Sequence, residues 1–466
     1  MRSSRKKASV YLALLSASWE RLRLHPAQSR TVIRLAYPVA LGMLSITLLN
    51  VVDTAMLGRL GSVPLAAAGI SGVGYFAIVF SIAGIGIGVQ TLVSRRYGEG
   101  NHADCGEVLN AGLLLALITG IPLLVAAPWI AEAVSPLLSA DPEVMLLGKM
   151  YLRYRFLAAV FLLTNQVYVG FFNGIGHTKR QMTSAILITA ANILFDYLLI
   201  FGHAGFPQMG VVGAAVASVI ATGTGMIYFT LVGTLGPYRA RYHLYRGLKP
   251  ALSWFRAIFR LSLPVMGQRV LSNGTFFFFF SIVSRIGIAE LAATNVLRSV
   301  IGLSLMPAIG IAVAAASLVG QNLGARDPDK AEGFAWEAAK LAAYLMAAIG
   351  ILFVAIPKQI FLIYTSDATV ISLGRLPLIL LGVIQAFGGI GVVLSRALQG
   401  AGNTRFVMLA ELVVCTVLYL PTAYFLGVKL GLGITGAWSG EYIYWIFLAV
   451  VMNWKFHQGT WKHISL

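Results

Sequence analysis

Stretches of about 20 mostly apolar residues recur along the whole chain, separated by Gly, Pro or charged residues. A helix needs about 20 such residues to cross the hydrocarbon core of a membrane. Only 11% of the 466 residues are charged and 58% are hydrophobic, whereas a soluble domain carries about 25% charged residues. The sequence therefore predicts an all-α polytopic membrane protein without a separate soluble domain.

Twelve of these stretches are predicted to be membrane-spanning helices. They cover residues 33–57, 65–93, 107–128, 144–172, 181–201 and 210–234 in the first half, and residues 257–284, 291–319, 332–355, 370–398, 406–427 and 434–454 in the second. Because twelve is an even number, both termini are expected on the same side of the membrane.

Most Lys and Arg residues fall in the connections on one side of this bundle. The connections on the other side carry only Arg59, Arg285, Lys358 and Lys429, with Lys149 at a helix start. Cytoplasmic connections of membrane proteins are enriched in Lys and Arg. We therefore expect a protein of the bacterial inner membrane with both termini on the cytoplasmic side. The net charge of +18 then reflects membrane orientation and contact with lipids rather than nucleic-acid binding.

The N-terminal segment, MRSSRKK followed by SVYLALLSA, has the charge and apolar pattern of a signal peptide. Cleavage there would place Arg21, Arg23, Arg30 and Arg34 outside, against the distribution of the other cations. The alternative that we favour is a basic amphipathic segment on the anionic inner leaflet.

The two halves of the chain repeat each other at an offset of 226 residues. Four pairs of segments hold this register: LAYPV at 35–39 with LSLPV at 261–265, Leu65-Ala66-Ala67 with Leu291-Ala292-Ala293, TLVSRRYG at 91–98 with SLVGQNLG at 317–324, and GIGHTK at 174–179 with GAGNTR at 400–405. Each repeat has six helices, so the two have parallel topology. Transporters of this kind bind substrate between the repeats and rock one against the other.

The repeat divides the chain into five segments. They are a basic cytoplasmic segment at 1–34, a first lobe at 35–234, a cytoplasmic linker at 235–256, a second lobe at 257–454 and a cytoplasmic tail at 455–466. We expect the protein to be a monomer.

Acidic side chains within the helices are few, because a charge at the centre of a span costs about 2.5–3.5 kcal/mol. They are Asp53, Asp196, Glu411 and Glu441. Asp53 and Asp196 lie at matching depths in the first lobe, and Asn50 and Asn192 lie about one turn before them. Carboxylate and amide oxygens suit Na⁺, whereas burial of two acids suits proton binding. Alternatively, each Asp only fastens the lobe through neighbouring polar groups.

The other two acids lie in the second lobe. Glu411 is predicted to be a snorkelling or capping residue near a helix end, and Glu441 a secondary ion-site candidate.

The second lobe carries no equivalent of the paired aspartates. Phe279, within the run FFFFF at 276–280, corresponds to Asp53, and Thr422 corresponds to Asp196. This indicates an aromatic substrate surface, for which the candidates are Phe276, Phe279, Gln268 and Asn273. Ordinary lipid-facing phenylalanines are the alternative. Pro38 is either a hinge in the first helix or a proline of no consequence.

No phosphate-binding GxxxxGK[ST] motif or HExxH motif occurs, and Cys105 and Cys415 are too far apart in sequence to suggest a metal site. Transport driven by an ion gradient, without a cofactor, is the expectation. A membrane aspartyl protease using Asp53 and Asp196 is the enzymatic alternative, and it is disfavoured because the repeat leaves one lobe without these acids.

The residues VVDTAMLG at 51–58 and ANILFDYLLI at 191–200, with the GIGHTK and GAGNTR connections, resemble the multidrug and toxic compound extrusion (MATE) transporters. The pattern is most similar to the DNA-damage-inducible-protein branch of that family. The resemblance implies export of small organic compounds, often cationic or amphipathic, in exchange for H⁺ or Na⁺ through an outward-opening cavity. It also implies a cation site at Asp53, Asn192 and Asp196 and a bending helix at Pro38.

Two related possibilities bear on this resemblance. The norfloxacin-export branch of the family carries a helix 7 Glu, where this chain has Ser272 and Asn273. A lipid-linked saccharide flippase of the same superfamily is the nearest functional alternative, but such flippases usually have fourteen helices and a basic cavity.

Overall fold

The computed structural model describes residues 23–138, 141–245 and 252–466. Within these ranges the chain is almost entirely helical and contains no strand. Twelve long helices make up the bundle: α1 (Pro26–Gly58), α2 (Ser62–Gly98), α3 (His102–Val125), α4 (Pro142–Gly174), α5 (Lys179–Phe201), α6 (Gly210–Leu235), α7 (Leu252–Ser284), α8 (Ile288–Gly324), α9 (Pro328–Ala355), α10 (Ala368–Gly400), α11 (Thr404–Lys429) and α12 (Gly433–His457). We refer to α1–α6 as the N-half and to α7–α12 as the C-half.

Eleven of these twelve helices are long and apolar enough to span a membrane. The exception is α7, which is long enough but carries Arg256, Arg260 and Arg269 and the polar residues Ser272 and Asn273. The all-α prediction of twelve helices in two repeats is confirmed.

Several helix ends differ from the predicted ones. Helix α1 begins at Pro26, seven residues before the predicted start at residue 33, so it includes part of the predicted N-terminal segment 1–34. The predicted linker at 235–256 includes a short helix, Tyr238–Tyr242, and α7 already begins at Leu252. Proline at the first positions of α1, α4 and α9 suits helix starts, where its missing N–H is not needed. The signal-peptide alternative concerns residues outside those that the structure describes.

Both described chain ends lie at one end of the bundle, which we call the terminal end; the opposite end is the far end. The tail reaches the end of α2, where Arg95 donates to the backbone oxygen of Ile464 (2.7 Å) and Arg96 to that of Leu466 (2.6 Å). In the tail, hydrogen bonds from Lys462 to Glu332 and Asp329 raise the pKa of this lysine. The tail therefore joins the C-half to the N-half at the terminal end.

Close packing in the N-half depends on glycine where α2 crosses α4. A Cβ atom on Gly86 would collide with the backbone of Gln166, and one on Gly170 with the backbone of Gly86. Small residues allow membrane helices to approach in this way. The contact fixes α4, which carries part of the candidate site described below.

The hydrogen bonds between the halves are concentrated toward the terminal end. Gln90 of α2 donates to Ser317 of α8 (2.9 Å), and Thr91 donates to the backbone oxygen of Gln399 in α10 (3.0 Å). Gln321 of α8 donates to the backbone oxygen of Gly174 in α4 (2.7 Å). Each of these residues lies within eight residues of the end of its helix.

Helix α1 is tied to the C-half at the same end. Glu337 of α9 is fully buried, and it accepts hydrogen bonds from the Ser29 hydroxyl and from the backbone N–H of His25 (2.7 Å). Its other oxygen pairs with Lys340 at 2.7 Å. Among the described residues, the hydrogen bond between the halves that lies nearest the far end joins Thr47 to the sulfur of Met306 (3.3 Å). The halves are thus fastened at the terminal end.

Candidate functional site

Asp196 and Asn192 form a buried hydrogen-bonded pair on α5. They lie four residues apart and so on one face of the helix, and Nδ2 of Asn192 donates to Oδ2 of Asp196 at 2.6 Å. Asp196 is fully buried and Asn192 nearly so. The hydroxyl of Ser218 on α6 lies 3.4 Å from Oδ1 of Asn192. The spacing of four residues thus predicted correctly that Asn192 and Asp196 lie on the same face of the helix.

Asp53 lies on α1, which packs against α5. It is half-buried, and its charge acts on Asp196. Each of the two aspartates lies five residues before the end of its helix, or about 8 Å from the far end. One oxygen of each carboxylate, Oδ1, is buried without a hydrogen-bond partner among the described residues. The two acids therefore share a polar site in the far part of the N-half.

Arg155 on α4 is a third charged residue of this site, and the sequence analysis missed it. Its positive charge acts on both Asp53 and Asp196, yet it forms no direct ion pair with either within the described ranges. Its guanidinium group lies over the ring of Tyr75, 4.7 Å from the centroid. A signal was present, because Arg155 lies thirteen residues after Pro142, about 20 Å along the helix. A cation at such depth calls for an explanation just as an acid does.

The groups of this site are of the kinds that exchange protons or coordinate a small cation. Its oxygen atoms come from two carboxylates, one amide and one hydroxyl, which is a hard donor set. No cluster of three or more His, Cys, Asp or Glu residues that could hold a metal ion occurs in the described parts of the chain. Arg155 adds a permanent positive charge whose field reaches both acids. These groups together suit the binding and release of one monovalent cation, H⁺ or Na⁺.

Two other predicted residues are not part of this cluster. Asn50 is exposed, and its backbone oxygen accepts a hydrogen bond from Thr54 (2.7 Å). Pro38 is buried inside α1, and the helix is continuous on both sides of it. The hinge role of Pro38 stays a prediction.

The family model described as MatE matches residues 38–198 and again residues 264–425. The two matches begin 226 residues apart, which is the offset of the repeat, and together they cover more than half of the chain. The chain belongs to the MATE family. Its curated relatives are named as multidrug resistance proteins, so it is a transporter rather than an enzyme, and the protease alternative is not supported.

The similarity extends over nearly the full chain. The multidrug resistance protein NorM of Burkholderia vietnamiensis is 30% identical, with 93% of this chain and 96% of the relative covered. The probable multidrug resistance protein NorM of Thermotoga maritima is 27% identical, with 94% of each chain covered. The outward-facing structure of a multidrug resistance MATE family transporter superimposes with a TM-score of 0.86 at 23% identity, over 96% of this chain and 98% of the other. The fold is thus that of MATE transporters, and the flippase alternative is not favoured.

The prediction that Glu411 is a snorkelling or capping residue of this MATE-family chain is wrong. Glu411 lies on α11 and is buried. Its carboxylate accepts hydrogen bonds from Ser272 (2.6 Å) and from Gln268 of α7. Gln268 in turn accepts from Gln399 (2.8 Å). Glu411 therefore points into the C-half, and Gln268, a predicted substrate residue, is held by this network.

Glu441 belongs to a separate cluster in the C-half. It is buried on α12 and accepts from Nε1 of Trp445 (3.0 Å). The negative charge of Glu441 acts on Arg298 of α8. The guanidinium group of Arg298 lies 3.0 Å from the ring centroid of Phe276. Glu441 and the Asp53–Asp196 site are thus in different halves.

The phenylalanine run divides among different surroundings. Phe279 is 1% exposed and packs against Tyr419 and Trp438 in the core of the C-half. It is a core residue, so the prediction that it lines the substrate cavity is wrong. Phe277 and Phe278 are 73% and 58% exposed, and the lipid-facing alternative for them stays a prediction. Asn273 is half-buried.

Proposed function

We propose that the chain exports drugs and other amphipathic organic compounds by alternating access, in exchange for a cation that binds at Asp53, Asn192 and Asp196. The observation that carries the proposal is the buried Asn192–Asp196 pair beside Asp53 and Arg155. Charged groups inside a membrane are costly and usually mark ion pathways. The names of the curated relatives support drugs as the substrate class. We propose that the chain belongs to the DNA-damage-inducible-protein branch, which its residue pattern resembles; the curated relatives carry the NorM name.

Of the two candidate ions, the charge balance favours H⁺ over Na⁺. Two ionised aspartates and Arg155 together carry one negative charge. A single proton neutralises this set and needs no space, whereas Na⁺ must be coordinated close to a permanent cation. Arg155 thus supports proton coupling.

The contacts between the halves support an outward-facing state. The halves meet at the terminal end, which the Lys and Arg distribution assigns to the cytoplasm, while the aspartates lie near the far end. Protons from outside would reach Asp53 and Asp196 in this state. Transport then requires the contacts made by Gln90, Thr91 and Glu337 to separate. We propose that the halves move as the lobes 35–234 and 257–454, and that one monomer in lipid suffices for the cycle.

The proposal is tested by dye transport in everted membrane vesicles. A pH gradient should drive dye transport by the wild-type protein, and Asp53→Asn and Asp196→Asn should each abolish the response at equal expression. Asn50→Ala, on the same helix as Asp53 but exposed, is the matched control and should transport normally. Undiminished transport by both aspartate variants would rule out this coupling site.

A further inference from the structure

A cavity of about 450 Å³ opens at the terminal end of the N-half, away from the aspartate site. It lies between the start of α1, the connection from α4 to α5, and the short helix that follows α6. The side chains that matter for its chemistry are Arg34, Thr178, Lys179, Arg180, Thr183 and Tyr238. None of the residues that line it is acidic.

The cations of this cavity are available to a ligand. Arg34 and Lys179 are exposed, and neither forms an ion pair with the described residues. Arg180 is positioned by Tyr238, whose hydroxyl accepts a hydrogen bond from its Nε (3.4 Å). The same hydroxyl lies 2.8 Å from Nδ1 of His177. Two cations are therefore free, and a third is held in place by its neighbours.

The electrostatic field in the cavity is positive. Burial lowers the pKa of His177, and the positive charges of Arg180 and Arg241 lower it further. Helix α5 begins at Lys179, so the N–H groups of its first turn add partial positive charge at the same place.

The internal repeat provides a comparison site in the C-half. At the offset of 226 residues, Gly402 corresponds to Gly176. A Cβ atom on Gly402 would lie 2.9 Å from a methyl group of Leu466 and 3.3 Å from one of Ile464. One on Gly176 would come no nearer than 3.6 Å, to the Gln321 side chain. In the C-half the tail covers the glycine with apolar groups, whereas in the N-half the equivalent place borders an open, basic cavity.

We propose that this cavity binds a phosphate group, and that the headgroup of an anionic phospholipid supplies it. Lys and Arg side chains with hydroxyl groups are the usual partners of phosphate, and a basic pocket at the membrane surface suits a lipid headgroup. The volume accommodates such a headgroup. The inference does not depend on drug export or on the coupling ion.

The test uses the purified full-length protein and dioctanoyl phosphatidylglycerol, with dioctanoyl phosphatidylcholine as the neutral comparison and glycerol phosphate as the soluble phosphate source. The double variant Arg34→Gln/Lys179→Gln removes the two free cations. The matched control is Arg260→Gln/Arg405→Gln, because these residues occupy the repeat-related positions and are also exposed. Thermal unfolding checks that both variants are folded.

Each cation near an anionic lipid contributes about fivefold in affinity, so the cavity variant should bind phosphatidylglycerol about 25-fold more weakly than the wild type. The control should change little. Displacement of the lipid by glycerol phosphate identifies the phosphate group alone as the ligand, and failure to displace identifies the lipid form. Equal losses in the two double variants, or equal binding of phosphatidylcholine by the wild type, would overturn the proposal.

Discussion

Asn192 donates a hydrogen bond of 2.6 Å to Asp196 inside the N-half, and both side chains are buried. The pair lies beside Asp53, on a neighbouring helix, and within the field of Arg155. A buried carboxylate whose hydrogen bonds come from so few groups depends strongly on each of them. The predictions below follow from this arrangement and from the contacts at the terminal end.

Asn192→Leu removes the donor to Asp196 without changing the size of the side chain much. A buried group that loses its hydrogen-bond partner costs about 1–3 kcal/mol, so we expect a lower thermal unfolding temperature and loss of ion-driven dye transport. Both are measured on the purified and the reconstituted protein. Asn50→Leu, at an exposed position of α1, is the control and should leave transport intact.

Arg155 should determine which ion drives transport. With Arg155 present, a pH gradient should drive dye transport and an Na⁺ gradient at fixed pH should not. Arg155→Lys retains the charge and should keep this preference. Arg155→Met leaves the acids without a fixed cation, and transport should then become responsive to Na⁺. Transport by the wild type that follows the Na⁺ gradient would contradict the role given to Arg155.

The sequence predicts the features of this fold that arise within one helix or from the repeat. Apolar stretches of about 20 residues located the helices, and the i, i+4 spacing predicted that Asn192 and Asp196 lie on one helix face. The proximity of Arg155 to the acids and the burial of Glu411 depend instead on how helices rotate against each other, which sequence spacing alone does not specify. Phe279 was misassigned for the same reason, since neighbouring positions of α7 are exposed in one case and buried in the core of the C-half in the other.

A cross-link across the terminal end should stop transport. The amide nitrogen of Gln90 lies 2.9 Å from the hydroxyl of Ser317, so the two positions face each other. A Cys at position 90 is shorter than Gln, so a bifunctional methanethiosulfonate reagent is used to bridge Gln90→Cys/Ser317→Cys during transport. The cross-link would hold the halves together at the end that has to open. The native cysteines, Cys105 and Cys415, are free and buried and are replaced by Ala in this background.

The reagent should abolish dye transport by the double-cysteine protein, and a reducing agent, which cleaves the cross-link, should restore it. The two single-cysteine proteins serve as controls and should keep their transport in the presence of the reagent. Full transport by a completely cross-linked protein would show that this contact does not open during the cycle.

Glu411 should be important for stability rather than for coupling. Glu411→Gln weakens the hydrogen bonds from Ser272 and Gln268, and the loss of charge-assisted bonds should lower the free energy of unfolding by about 1–3 kcal/mol. The pH dependence of dye transport should match that of the wild type. The comparison is made at a temperature where both proteins are folded, and an altered pH dependence would assign Glu411 a coupling role.

The central claim is that the coupling protons are carried by Asp53 and Asp196 in the N-half and not by the acids of the C-half. Proton release on addition of an exported dye to the purified, weakly buffered protein measures this most directly. The wild type, Glu411→Gln and Glu441→Gln should release protons on binding, whereas Asp53→Asn and Asp196→Asn should release none. Release that persists in both aspartate variants and disappears in a C-half variant would contradict the account.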